Sequence, residues 1–472
     1  MRILSMVFLV ALFPVATQAG DGMLDPSFGN GGIVEIPWAA GAAQANAVGL
    51  DGSGRILVGG SAIGPFEDKD FALFRLLHDG TLDATYATDS GGFRLIDFDL
   101  DGIGGSSDDA VNDLAVLADG SVVSLGEAHF GLSGFNSQFA LAKIDASGQL
   151  DFDFGSGGIA HFGFDTFVVR DQGLILSLDA SDRILVGGLV FEQFSGETAL
   201  EYWLGLARLT AEGALDTDFY GMGRYQSVLW TDPTIPPPRS SKQNFALGLT
   251  LDSDARVIVT GAFSNPFPQD AAIYRANPDG QFDAGFGPFA NGRVRLNLAN
   301  GQAGAAYALA SSRMMVAGSF GANGPDTPFL VRLNADGTVD DTFAGGLAVT
   351  PSLPADLFAT MTLLKRDTRG GWLLAGAVTD FNGSGRGVVL ARFDAQGQPD
   401  VDFGNGGIVV VDVSDGRHFS AGRTVLQSDG KLVVAGSLPD DGPDNTPHFA
   451  VLRVLADYET VFTDGFDGEL PP

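Results

Sequence analysis

The stretch GRILVGG, Gly54 to Gly60, decides the fold, because six later segments repeat its shape. They are GSVVSLG (Gly120 to Gly126), DRILVGG (Asp182 to Gly188), ARVIVTG (Ala255 to Gly261), SRMMVAG (Ser312 to Gly318), GGWLLAG (Gly370 to Gly376) and GKLVVAG (Gly430 to Gly436). Their final glycines fall 66, 62, 73, 57, 58 and 60 residues apart. Each is a short apolar run, mostly aliphatic and ending in glycine. That pattern is the signature of a strand and is too short for a helix. Recurrence at a near-constant interval means that one supersecondary unit has been copied along the chain.

A second signature follows each strand outward: a strand with one basic residue, a turn, then LD-x-x-F. It reads FALFRLLHDGTLDATY (Phe71 to Tyr86), FALAKIDASGQLDFDFGSGGI (Phe139 to Ile159) and LARLTAEGALDTDF (Leu206 to Phe219) in three copies. The basic positions are Arg75, Lys143, Arg208, Arg275, Arg332, Arg392 and Arg453, again seven. In the motif, Leu and Phe are expected between neighbouring units and Asp is expected to cap a turn. The basic residue is expected to pair with that Asp; a ring of seven cations facing one ligand is the alternative reading.

Each repeat holds about four strand-like runs. In the seventh they are GIVVVDV (Gly407 to Val413), RTVLQ (Arg423 to Gln427), KLVVAG (Lys431 to Gly436) and FAVLRV (Phe449 to Val454). Asp429-Gly430 between two of them reads as a tight primed hairpin turn. The first LD-x-x-F (Leu24 to Phe28) has no strand of the FALAR type before it, and the last such strand, Phe449 to Leu455, has no motif after it. Complementary halves are what a closed ring leaves at its ends. The predicted fold is an all-β, seven-bladed propeller of four-stranded antiparallel blades, closed by pairing of the N- and C-terminal halves.

The combination LD-x-S-F-G-x-G-G-I, a K-I/L-V-V-A-G strand and F-A-L-A-R-L-N-x-D-G resembles the bacterial delta-60 repeat family, from about residue 24 to 455. Phe282 and Val339 depart from it where the motif wants Leu. The resemblance implies a β-propeller and carries no activity with it, since propellers host many unrelated functions.

Bulk composition bounds the rest. The chain has 472 residues, 45% of them hydrophobic, and 66 glycines, in keeping with many short strands and tight turns. It has no cysteine, so disulfides and thiolate metal sites are excluded. A net charge of −31 repels nucleic acid and anionic membranes and attracts cations.

Arg2, the apolar run Ile3 to Val15 and the small residues ending at Ala19 read as a secretory signal peptide spanning residues 1–19. The propeller is expected over 20–455 and an acidic tail over 456–472, whose VFTDGF (Val461 to Phe466) resembles tails on exported bacterial proteins. The expected location is extracellular, periplasmic or cell-surface, and the expected state a monomer with no membrane span in the mature chain.

One segment has metal-ligand spacing. In DFDLDGIGGSSD, Asp97, Asp99 and Asp101 fit D-x-D-x-D-G and Asp108 takes the twelfth position, a pattern that supplies hard oxygen ligands to calcium. Asp replaces the usual bidentate Glu, and no helices flank the loop. The competing reading makes LIDFD (Leu95 to Asp99) the first strand of its blade, followed by a solvated acidic loop.

Catalytic residues are not assigned. The five histidines, His78, His129, His161, His418 and His448, form no metal-ligand or H-E-x-x-H pattern, and no G-x-S-x-G or P-loop is present. The longest insertions, at 126–139, 188–206 and 228–245, carry Phe191, Phe194, Tyr202, Trp203 and Trp230 and are where a propeller would meet a partner. The expected function is a binding or scaffold module for an extracellular protein or glycan. The alternative is an extracellular enzyme, for example one acting on polysaccharide, whose central channel would be lined by carboxylates, His and aromatics.

Overall fold

In the computed structural model the chain forms seven four-stranded antiparallel sheets set around one axis, a seven-bladed β-propeller. The structure describes residues 22–456, apart from 101–107, 132–135, 165–169, 193–200, 228–242, 265–268, 322–325, 355, 368, 412, 414–416 and 441–444. The N-terminal segment read as a signal peptide and the acidic tail beyond residue 456 lie outside the described residues. Among the described residues the helical elements are three short 3-10 turns, and no helix is long and apolar enough to cross a membrane.

The first strand, β1 (Ile33–Ile36), is held over for the last blade. Blade 1 contains β2 (Ala43–Leu50), β3 (Ile56–Ile63), β4 (Lys69–Leu76) and β5 (Phe93–Ile96). Blade 2 contains β6 (Asp109–Val116), β7 (Val122–Phe130), β8 (Asn136–Ile144) and β9 (Ile159–Phe162). Blade 3 contains β10 (Gln172–Leu178), β11 (Ile184–Glu192), β12 (Glu201–Leu209) and β13 (Arg224–Ser227). Blade 4 contains β14 (Gln243–Leu251), β15 (Val257–Ser264), β16 (Asp270–Ala276) and β17 (Arg293–Arg295). Blade 5 contains β18 (Gln302–Ala308), β19 (Met314–Phe320), β20 (Thr327–Leu333) and β21 (Ala348–Val349). Blade 6 contains β22 (Leu357–Arg366), β23 (Trp372–Asp380), β24 (Gly385–Phe393) and β25 (Ile408–Val411). Blade 7 contains β26 (Ser420–Leu426), β27 (Lys431–Pro439) and β28 (Pro447–Leu455), completed by β1.

The ring closes as the chain ends require. Strand β1 pairs antiparallel with β28, Ile33 opposite Leu452 and Ile36 opposite Phe449. The phase of the repeat is corrected, however. Residues 408–411 are the outer strand of blade 6, not the first strand of the seventh blade, and Phe93–Ile96 is the outer strand of blade 1. Each sequence repeat therefore spans two blades, and its outer strand binds the unit before it.

Seven apolar clusters hold the ring, one at each interface between neighbouring blades. At the closing interface Phe74 of blade 1 meets Phe449 of blade 7 with ring centroids 5.0 Å apart, and Trp38 meets Phe93 at 5.1 Å. Full burial of such a side chain stabilises by about 1.5–3 kcal/mol, so repetition around the ring replaces the missing disulfides.

The Asp-Gly turns differ from the expected primed type. Gly430 N–H donates to Gln427 O at 3.0 Å, and Gly430 has φ +80°, whereas Asp429 does not have positive φ. This is a three-residue loop with glycine in the left-handed position, the bulged alternative to a two-residue hairpin. The Asp side chain favours it by accepting a backbone N–H two residues on, as Asp79 does from Thr81 at 2.9 Å.

The basic residue pairs with the motif Asp in all seven copies: Arg75–Asp83 2.8 Å, Lys143–Asp151 3.0 Å, Arg208–Asp216 2.7 Å, Arg275–Asp283 2.8 Å, Arg332–Asp340 2.7 Å, Arg392–Asp400 2.8 Å and Arg453–Asp25 2.8 Å. The other Asp oxygen caps its own turn; Asp83 Oδ1 accepts the Thr85 N–H at 2.9 Å. The guanidinium stacks on the motif aromatic, 4.7 Å from the Tyr86 centroid for Arg75 and 4.5 Å from that of Phe28 for Arg453. Its remaining N–H groups reach the next blade, as Arg75 does to Ala146 O at 2.7 Å. These arginines are scaffold, and the reading of a ligand-facing ring of cations is overturned.

The motif's two apolar residues also part company. The aromatic is buried in every copy, while Phe282 and Val339, at the Leu position, are 45% and 40% exposed.

Candidate functional site

Strand direction sorts the connections onto two faces. The hairpins joining first to second strands, and the segments carrying LD-x-x-F, sit at one end, which is therefore the repeated face. The second-to-third hairpins and the links between blades sit at the other. The three segments read as insertions join strands there, β7 to β8, β11 to β12 and β13 to β14, although 126–139 proves to be mostly strand, its connection 131–135 no longer than 64–68 in blade 1. What does not repeat is thus gathered on one face.

The central channel is narrow. It encloses about 220 Å³ and is lined by aliphatic residues and glycines of the inner strands, with Thr250, Thr362, Thr424, Lys365, Asp113 and Arg423 as its polar groups. No histidine or aromatic ring is among these lining residues. Every inner strand carries a bulge. Bulged residues bridge blades across the channel wall: Asn46 Nδ2 donates to Val111 O at 2.8 Å and Asn112 Nδ2 to Gly173 O at 3.0 Å.

Three histidines each have a partner of their own. The His161 ring contacts Gln138 at 2.9 Å, the His448 ring accepts from Trp38 N–H, and the His129 ring contacts Asp108 O.

On the variable face, blade 6 carries a hollow of about 530 Å³ lined by Asp356, Leu357, Asp380, Phe381, Asn382 and Arg386. Phe381 is 79% exposed and leans on Phe358, ring centroids 6.4 Å apart. The Asp380 carboxylate holds the turn by accepting the Asn382 and Ser384 N–H groups at 2.9 and 3.0 Å. An apolar ring is therefore presented beside acidic, amide and cationic groups, the mixture that orients polar ligands. On blade 3, Phe191 packs on Tyr202 at 4.5 Å, and Tyr202 lies 6.0 Å from Phe245. Phe194 and Trp230 lie outside the described residues.

Of the calcium-spaced loop, Asp97, Asp99 and Asp108 are among the described residues. Asp99 N–H donates to Asp97 Oδ1 at 2.9 Å, and Asp101 lies outside the described residues. Asp108 is turned to Lys69, accepting its backbone N–H at 3.1 Å and lying 3.4 Å from its ammonium. Asp97 instead belongs with two carboxylates that the spacing did not reveal, Asp70 and Asp109. Asp109 is buried and accepts the N–H groups of Phe98 at 3.0 Å and His129 at 3.1 Å. Burial, with Asp97 and Asp68 nearby, pushes Asp70 up to about 7. Burial likewise raises Asp109 to about 8, with Asp97 and Asp70 adding to it and its two N–H donors opposing. Among the described residues no three Asp, Glu or His side chains already stand in metal-coordinating geometry.

Four segments of the chain, residues 52–86, 253–286, 310–343 and 427–457, match the family described as a domain of unknown function (DUF5122), beta-propeller. They coincide with strands and LD-x-x-F motifs of the repeat, so the chain is a β-propeller repeat protein. No curated protein matches it in sequence. Among solved structures it resembles a catalytically inactive virginiamycin B lyase from Staphylococcus aureus with quinupristin, at 9% identity and TM-score 0.44, covering 89% of this chain and 98% of that one. It also resembles the polysaccharide lyase Uly1, at 11% identity and TM-score 0.43, covering 87% and 90%. A third is Drosophila Semaphorin 1b, at 9% identity and TM-score 0.41, covering 92% and 87%. Likeness at this level concerns the fold alone.

Proposed function

We propose that this propeller is an exported binding module that takes a saccharide ligand on its variable face, at the hollow beside Phe381. The observation that carries the reading is the exposed Phe381 ring at the mouth of this hollow, on the face that the repeated LD-x-x-F motif does not occupy. Loops on a rigid frame are where binding residues concentrate. An exposed ring flanked by Asp356, Asn382 and Arg386 offers one apolar plate and several hydrogen-bond groups, which suits a sugar ring with its hydroxyls. The signal-like segment at residues 1–19 supports an extracytoplasmic location, where glycans are abundant.

A glycan array followed by titration calorimetry tests it. Binding of at least one glycan class that is lost in both Phe381→Ser and Arg386→Ala supports the reading. An array with no hits, or hits unaffected by either variant, overturns it. Expression of the full chain in a bacterial host, with the N-terminus of the exported product sequenced, tests the location; a product retaining Met1 in the cytoplasm refutes it.

A further inference from the structure

The same architectural corner can be compared between blade 4 and blade 1, because Arg75–Asp83 and Arg275–Asp283 fix their alignment. In blade 4, Asp270 at the start of β16 is neutralised: its Oδ2 lies 2.5 Å from Arg295 Nε and its Oδ1 accepts the Leu298 N–H at 2.8 Å. Arg295 stands opposite Ala272, just as Leu95 stands opposite Ala72 in blade 1. Blade 1 thus has the acid, Asp70, without the arginine that blade 4 alone sets beside it.

It also gains acids. Phe71 is opposite Ile96, so the next rung of the ladder brings Asp70 toward Asp97, where blade 4 has Asn297. The first strand of the following blade adds Asp109, at a position that is Gly301 after blade 4. Asp109 is fixed beside this rung by its bond to the Phe98 N–H at 3.0 Å. Lys69, next to Asp70 in the chain, is turned to Asp108, its ammonium 3.4 Å from that carboxylate.

A second observation marks the corner as made for a ligand. Asp70 is 2% exposed, and its Oδ1 has no hydrogen-bond partner in the protein. A buried carboxylate oxygen without a partner is costly, and two more carboxylates beside it compound the cost. A charge that is neither paired nor solvated is retained where something supplies the missing positive charge.

We propose that this corner between blades 1 and 2 is a divalent-cation site of the calcium class, in which Asp70, Asp97 and Asp109 supply carboxylate oxygens. Calcium takes 6–8 oxygen ligands in flexible geometry, which suits carboxylates carried by three different strand ends and leaves room for carbonyls and water. A divalent ion would displace the protons that the raised carboxyls hold and offset the repulsion between the three ionised groups. The site lies on the variable face and ties two blades at their rim. It differs from the D-x-D-x-D-G loop, sharing only Asp97 with it.

The test uses the full chain, melted at pH 8 with added calcium, with added magnesium and with chelator, together with calorimetric titration of calcium. The expected result is a rise in midpoint of several degrees with calcium, and one ion bound per chain. Asp70→Asn and Asp109→Asn each abolish both signals, and Asp70→Asn raises the midpoint of the chelated protein. Asp99→Ala leaves the calcium response intact. Absence of any calcium response in the wild-type protein overturns the proposal. So does a response that survives Asp70→Asn, or one that is lost in Asp99→Ala alone, which would return the ion to the loop.

Discussion

Asp113 and Arg423 face one another inside the central channel, with Arg423 Nη2 3.8 Å from Asp113 Oδ2. They come from blades 2 and 7. Arg423 also donates to Leu174 O of blade 3 at 2.6 Å and Leu247 O of blade 4 at 3.0 Å. Asp113 Oδ2 accepts the Leu176 N–H at 2.9 Å. One guanidinium thus ties four blades across the axis. Burial pushes the Asp113 carboxyl above the usual range, against the pull of Arg423 and of the Leu176 and Leu114 N–H groups.

Arg423→Met is therefore expected to destabilise the protein by about 2–4 kcal/mol, because it strands two carbonyls and a buried carboxylate. Adding Asp113→Asn should recover part of that loss, since the two groups share one network. Denaturant titration of the single and double variants measures the coupling; strict additivity would show that the two residues act separately.

The pins of the repeated face differ in burial, which sets their energetic weight. Both side chains of Arg75–Asp83 are 3% exposed, while Lys143 and Asp151 are 17% and 28% exposed. Asp83→Ala is expected to cost about 3–5 kcal/mol by leaving Arg75 buried without its counterion. Lys143→Ala should cost about 1 kcal/mol, less than for the fully buried pair, because both partners keep some contact with solvent. Urea midpoints compared at constant m-value distinguish the two.

Closure of the ring rests on residues near the N-terminus, through β1 against β28 and Asp25 against Arg453 at 2.8 Å. Removing residues 22–36 exposes the edge of β28 and the apolar cluster shared by blades 7 and 1. The shortened chain is expected to lose its single cooperative transition and to associate through the bare edge. Light scattering and calorimetric melting read both effects.

Inner strands approach backbone to backbone at the bulges. A Cβ on Gly304 would lie 1.6 Å from Met361 O, in the neighbouring blade. Gly304→Ala is expected to destabilise by about 2 kcal/mol or more through overpacking. Gly52→Ala, with nothing within 4 Å of its added Cβ, is the control and should be close to neutral.

The raised carboxyls give stability a definite pH dependence. Asp70 at about 7 and Asp109 at about 8 bind protons in the folded state that the unfolded chain, near 3.8, has already released. Their contribution is fully present below about pH 4 and is lost as pH rises through 7 and 8, at up to about 1.4 kcal/mol per pH unit for each group. Asp340, held down to about 2 by its bonds to Thr342 and Arg332, acts oppositely and loses its contribution on acidification. In chelator, stability is expected to fall from pH 5 to pH 8, and the double variant Asp70→Asn/Asp109→Asn should flatten that slope. Midpoints across this range check it; an unchanged slope would place the protonation elsewhere.

Most of the frame was legible from residues alone. Gly-ended strands give the blade number, and the unmatched halves at Leu24 and Phe449 give the closure, because strand period and repeat spacing are local properties of the chain. The pairing of Arg75 with Asp83 was equally readable, since eight residues and one turn separate them. Even so, the phase of the blade escaped: nothing local shows that Ile408–Val411 pairs with β24 rather than with the strand that follows it.

The corner of carboxylates was not legible in this way. Asp70, Asp97 and Asp109 come from three strand ends, and the spacing of the loop drew attention to Asp99 and Asp108 rather than to Asp70 and Asp109. The one signal available was an acid without the arginine that accompanies it in blade 4, Leu95 in the place of Arg295, and it becomes visible only once the two blades are superposed. The sequence by itself determined a seven-fold repeat, its strands, its turns and the ends that close it, all set by short-range pattern. Only the tertiary structure decided which carboxylates share a buried corner, that Arg423 bridges four blades at the axis, and that the insertions share one face. Those facts depend on how distant strand ends meet, and the hydrophobic packing between blades that brings them together carries no mark at the positions themselves.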